Sequence, residues 1–106
     1  MNESQIFQYM SQMVFNATAK GQTREKALEQ AEETVSGIVD TSKKLASELD
    51  SEELGESQVF QYMSQLVFND VMKGKDRETA LRDAAKTVKA IATKTKALAA
   101  KAQPKE

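Results

Sequence analysis

The sequence predicts an all-α protein, tandem αα-hairpin repeats closing into a pseudo-two-fold four-helix bundle. Three observations lead there. The 106-residue chain repeats itself at an offset of 53, so that residues 1–53 and 54–106 are two copies without a gap, identical at 26 of 53 positions. Apolar residues recur every three or four positions and never alternate as in a strand. Pro104 is the only proline, so nothing interrupts long helices before the last few residues.

The repeat is clearest where Glu3-Ser-Gln-Ile-Phe-Gln-Tyr-Met-Ser-Gln-Met-Val-Phe-Asn16 returns as Glu56-Ser-Gln-Val-Phe-Gln-Tyr-Met-Ser-Gln-Leu-Val-Phe-Asn69. Ser4 and Ser57 are candidate N-caps of first helices over 5–20 and 58–73, and Gly21 and Gly74 stand where a left-handed C′ residue ends a helix. Thr23 and Asp76 then cap second helices over 24–49 and 77–102, each with a glutamate, Glu25 or Glu78, in its first turn. On a wheel centred on Ile38, residues Ala27, Leu28, Ala31, Val35, Ser42, Leu45, Ala46 and Leu49 share one stripe; Ala80, Leu81, Ala84, Val88, Thr95, Leu98, Ala99 and Ala102 do so around Ile91. Two copies are too few for an open solenoid, so closure of the two hairpins on each other into one domain is expected. The polar junction Asp50–Glu56 has a calcium-loop flavour in Asp50, Glu52 and Gly55. Leu54 and Gln61, however, fall where ligands are needed, and a plain turn is expected.

The chain has no cysteine and no histidine. That removes disulfides, thiolate nucleophiles, zinc ribbons and the commonest general base and metal ligand. Its four glycines are scattered singly, so no loop cradles phosphate. Glu25, Glu29, Glu32, Glu33 and Asp40 crowd one helix but point away from the Ile38 stripe, as a solvated acidic face does. The expectation is a protein that is not an enzyme, with no catalytic residues, no metal and no cofactor. No apolar run exceeds four residues and no basic segment follows Met1, which predicts no membrane association and a cytoplasmic protein.

Charge divides the two copies. Residues 1–53 carry five basic and ten acidic side chains; residues 54–106 carry ten basic and six acidic. The reversal occurs at equivalent positions: Glu29 becomes Arg82, Glu33 becomes Lys86, and Ser36 becomes Lys89. A basic face on helix 77–102 could hold a phosphate backbone, the alternative function, a nucleic-acid-binding helical protein. The overall charge of −1 and the acidic first half make nucleic acid the weaker candidate, and complementary flanks for protein pairing the stronger one.

In the first helix Ile6, Met10, Met13, Val14 and Ala17 make one core stripe, flanked by Phe7 and Tyr9, and Phe15 falls opposite it, among Gln8, Ser11 and Gln12. Its copy Phe68 lies beside Gln61 and Gln65, with Met72 one turn on. Paired aromatics on a second face predict a protein-contact surface. Helices of 26 residues also overhang 16-residue partners by about 15 Å at 1.5 Å per residue, leaving Leu45, Leu49 and Leu98 in need of cover. The function expected is therefore a non-enzymatic helical protein–protein interaction module (adaptor, assembly factor, chaperone or inhibitor). It would act as a homo-oligomer, a dimer or larger, or by docking another protein.

Overall fold

A computed structural model of the chain describes residues 1–49 and 54–102, so the junction around Asp50 and Glu52 lies outside the described residues. Four helices follow one another: α1 Glu3–Ala19, α2 Arg24–Leu49, α3 Glu56–Met72 and α4 Arg77–Ala102. The two αα-hairpins, α1·α2 and α3·α4, pack together as a four-helix bundle. Among the described residues no helix is long and apolar enough to cross a membrane.

The helix ends show why the chain breaks where it does. Thr23 Oγ1 accepts from the Lys26 N–H at 3.2 Å, and Asp76 Oδ2 accepts from the Thr79 N–H at 3.1 Å, so both expected caps of the long helices are in place. The caps of the short helices differ from expectation. Asn2, not Ser4, opens α1, in a capping box where its side chain accepts from the Gln5 N–H while Gln5 accepts from the Asn2 N–H. Gly55, not Ser57, opens α3, with no side-chain cap. The earlier start leaves Ser57 Oγ free to donate to Gln5 Oε1 across the hairpins at 2.8 Å.

Both inter-helix turns are the same motif. Gly21 and Gly74 have φ near +100°, and the N–H groups of Gly21 and Gln22 close back on Thr18 and Ala17, as those of Gly74 and Lys75 do on Val71 and Asp70. This double closure satisfies the last carbonyls and needs a residue that tolerates positive φ. Each hairpin thus has the same turn and the same helix lengths.

The copies nonetheless sit differently in the bundle. α2 packs against all three other helices, α1 touches α3, and among the described residues α1 and α4 do not meet. α1 and α3 run parallel, joined at Gln5–Ser57 and Tyr9–Gln61, pairs 52 positions apart. α2 and α4 also run parallel, but Glu33 meets Arg77, a separation of 44 rather than the repeat length of 53. α4 is therefore slid along α2 by about nine residues, or about 13 Å. Its end, from Thr93 to Ala102, projects into solvent, and the molecule measures 61 × 26 × 19 Å.

This placement divides equivalent residues. Ile38 is fully buried while Ile91 is 51% exposed; Tyr9 is buried and Tyr62 exposed; Leu45 is buried and Leu98 exposed. On the short helices the sense inverts, with Phe60 fully buried and Phe7 73% exposed. Ile91 is thus not a core residue as its stripe predicts, because no hairpin lies beyond it. The core gathers Tyr9, Val35, Ile38 and Leu45 of the first hairpin around Phe60, Met63 and Val67 of α3. Leu45 and Leu49 find the cover they need in the second hairpin.

Candidate interaction surfaces

The interface between hairpins is a ridge laid in a groove. α3 presents Phe60, Met63 and Val67, and the Tyr9 ring meets Phe60 edge to face at 5.7 Å between centroids and 78° between planes. That geometry suits the ring quadrupoles, with the positive edge of one ring on the face of the other. The Tyr9 hydroxyl donates to the Gln61 carbonyl at 3.4 Å. Burial raises the Tyr9 pKa above 10.0, opposed in part by a hydrogen bond with the Gln65 side chain. Leu81 of α4 lies against Gly37, with its Cδ1 2.9 Å from where a Cβ would stand, so the absent side chain at 37 makes the notch.

Charges flank this apolar seam. Arg77 donates to Glu33 at 2.7 Å and Lys89 pairs with Glu48 at 2.9 Å, joining acidic α2 to basic α4. The Lys89 contact holds Glu48 below its ordinary pKa. Arg82 and Lys86 line a shallow cleft with Leu45 and Glu48, while Glu29 remains on the exposed side of α2. These pairs are 39–55% exposed, so each adds only about 0–1 kcal/mol; they orient the hairpins more than they stabilise them.

The aromatic contact face anticipated from sequence is only partly assembled. Phe68 and Met72 line one cleft, with Met13 and Ala17 of α1 and Ala31 and Thr34 of α2 as its other walls. Phe68 is half-buried there and Met72 is 43% exposed. Phe15 is 76% exposed and is not part of that cleft. Gln8, Gln12, Gln61 and Gln65 are all exposed; Gln61 meets Tyr9 through its backbone carbonyl and Gln65 through its side chain.

Larger apolar surfaces lie at the two ends of the stack. On the first hairpin Phe7 borders a shallow groove with Ile6, Met10, Val14 and Leu28. On the second, Tyr62 and Ile91 border one with Val59, Val88 and Leu49, and Leu98 stands 64% exposed beyond it. Single-helix wheels put Ile91 at the centre of a core stripe, Leu28 within one, and Phe7 and the equivalent of Tyr62, Tyr9, on a core flank, and so miss these surfaces. The signal that finds them is the repeat itself: with two stacked copies, whatever one copy buries against the next is bare on the last.

Among the described residues no group of three or more acidic side chains is close enough to hold a metal ion. No protein-family model, curated protein or solved structure matches the chain.

Proposed function

We propose that the chain is a non-enzymatic helical protein–protein interaction module working in the cytoplasm, through self-association or by docking a partner protein. The observation that supports it is the exposure of seven large apolar side chains on so small a bundle: Phe7, Phe15 and Leu28 on one hairpin, Tyr62, Met72, Ile91 and Leu98 on the other. Fully burying a side chain of this size is worth about 1.5–3 kcal/mol, and residues 43–76% exposed leave roughly half of that to be recovered at an interface. An adaptor, an assembly factor, a chaperone or an inhibitor would each use such a surface. Engagement of Arg77 and Lys89 by Glu33 and Glu48 leaves less of the basic α4 face for phosphates, so nucleic acid is the weaker reading.

Light scattering after size exclusion, from about 1 to 100 µM, tests the self-association branch. A mass above the monomer that rises with concentration and changes little between 50 and 500 mM salt is the expected result. A monomer throughout overturns that branch and leaves a foreign partner. Duplex binding that collapses steeply with salt, and is lost when Arg82, Lys86 and Lys89 become glutamate, establishes the nucleic-acid alternative instead.

A further inference from the structure

The two hairpins have the same turn and helix lengths, so a side chain buried in one and bare in the other is covered by the neighbouring hairpin. By that criterion the first hairpin receives the second through Tyr9, Ile38 and Leu45, and the second inserts Phe60, with Met63, Val67 and Leu81 behind it. The groove on the open side of the first hairpin is lined by Ile6, Phe7, Met10, Val14 and Leu28, which are the repeat equivalents of Val59, Phe60, Met63, Val67 and Leu81. Four of those five pairs are identical residues. The open side of the second hairpin carries Tyr62, Ile91 and Leu98, identical to the receiving Tyr9, Ile38 and Leu45. One molecule thus exposes an inserting face at one end and its receiving face at the other.

We propose that these ends bind each other: copies of the chain stack head to tail, Phe7 and Leu28 of one copy docking on Tyr62, Ile91 and Leu98 of the next, as the hairpins already dock within the chain. The inference rests on the self-association reading above and specifies its geometry. Phe7 and Tyr62 then remake the edge-to-face pair formed internally by Phe60 and Tyr9.

Charge selects this pairing over others. Within the chain, Thr41, Leu45 and Glu48 of α2 face Arg82, Ala85, Lys86 and Lys89 of α4. Transposed by one repeat, Lys94, Leu98 and Lys101 of one copy face Glu29, Glu32, Glu33 and Ser36 of the next. Lys94 meets glutamates, while Lys101, the equivalent of Glu48, meets Ser36, the equivalent of its partner Lys89. A symmetric dimer built by pairing like ends would instead set Glu29, Glu32 and Glu33 against themselves, or Lys94 and Lys101 against themselves, and like charges across an interface are penalised. The reversal of charge between the copies thereby gives the stack a direction.

Three departures weaken the contact in trans. The internal Glu48–Lys89 pair becomes Lys101 against Ser36. The internal Glu33–Arg77 pair becomes Lys86 against Arg24, and Ala90 stands where Gly37 makes the notch for Leu81, so Leu28 must retract to dock. The internal contact is also intramolecular, an advantage that separate copies lack. A micromolar rather than nanomolar association follows. Because the two faces are different surfaces, growth is open-ended unless the rotation per step closes a ring.

The test uses two single variants of the full chain, Phe7→Glu and Ile91→Glu, both at exposed positions. Each removes one face, so each alone is expected to associate at least about 30-fold more weakly than the wild type. Mixed in equal amounts, they are expected to form a dimer and nothing larger, since the intact face of each fits the other and the remaining faces are dead. If the wild type assembles but either variant alone assembles equally well, or the mixture gives no dimer, head-to-tail stacking is overturned while self-association stands. A wild type that stays monomeric overturns both. Circular dichroism checks that the variants remain helical; if either does not, cross-linking decides. Ser57 and Gln5 touch inside the chain, so their equivalents Ser4 and Gln58 should touch between copies. The chain has no native cysteine. Ser4→Cys mixed with Gln58→Cys should therefore give a disulfide dimer that neither variant gives alone, whereas cross-linking within one variant and none in the mixture overturns the proposal.

Discussion

Replacing one isoleucine or the other by alanine tests the packing directly. Ile38 and Ile91 are the same residue at the same place in the repeat, on helices of the same length behind the same turn, yet one is 0% and the other 51% exposed. Ile38→Ala deletes apolar volume from the seam between hairpins, where α2 and α3 are close-packed and little can collapse into the space. The expected cost is in the usual range of about 2–5 kcal/mol for such a truncation. Ile91→Ala gives up only a half-covered contact and gains a little helix propensity, so about 1 kcal/mol or less is expected. Urea unfolding followed by the helical signal at 222 nm separates them. With a slope of about 1–2 kcal/mol per molar urea, a 3 kcal/mol loss moves the midpoint by about 1.5–3 M, against at most about 0.5–1 M for Ile91→Ala. The measurement belongs well below micromolar concentration, where association does not protect Ile91. Equal losses would refute the reasoning, because they require the two copies to be equivalently buried.

Two further outcomes follow from polar groups. The Ser42 hydroxyl is buried without a hydrogen-bond partner, so Ser42→Ala should raise stability by about 1 kcal/mol, read as a higher urea midpoint with unchanged slope; a lower midpoint would show that the hydroxyl is satisfied. Stability should be flat from about pH 5 to 9 and fall on both sides. On the alkaline side, Tyr9 keeps its proton in the fold and Lys75, beside Asp83, keeps its charge, both with pKa values raised from 10.0 and 10.5. Their contributions are present below those values and are lost as pH rises through the folded ones. On the acid side Glu48, Asp76 and Asp83 are held below 4.5, 3.8 and 3.8, and their contributions fade as pH falls through the lowered values. Melting temperatures across pH 3–11 check both limbs, and Tyr9→Phe should flatten the alkaline one.

The helices were legible because local physics decides them. The Thr23 and Asp76 caps, the glycines at 21 and 74 and the 3.6-residue period each act within one or two turns of chain, and the long helices begin and end where these signals put them. The short-helix caps were less so: Asn2 can form a reciprocal box with Gln5, and that outweighs a serine two positions later. Burial at the repeat level could not be read from one helix. A wheel treats Ile38 and Ile91 alike because they lie in the same local pattern; only the position of the second hairpin, slid along α2, distinguishes them. Glu33 does oppose the basic helix, although its partner is Arg77 in the first turn rather than the residues at the reversed positions.

The slide of α4 along α2 has a physical rationale in helix length. α1 has 17 residues and α2 has 26, so the far end of α2 extends beyond its own partner, with Leu45 and Leu49 on the overhang. An α4 set level with α2, as α3 is with α1, would leave those leucines bare. Displaced along α2, α4 brings Ala85 and Val88 to that end, beside Val59 of α3, where Leu45 is fully covered and Leu49 partly so. The same move carries the last turns of α4 past the end of α2, and the problem reappears one repeat further on at Leu98. Charge cannot drive the displacement, since exposed ion pairs are worth about 0–1 kcal/mol each, but it fixes the direction by setting Glu33 and Glu48 against Arg77 and Lys89. An unequal hairpin therefore always passes its uncovered leucine to the next one, and two copies in one chain displace that need to the end of α4 without removing it.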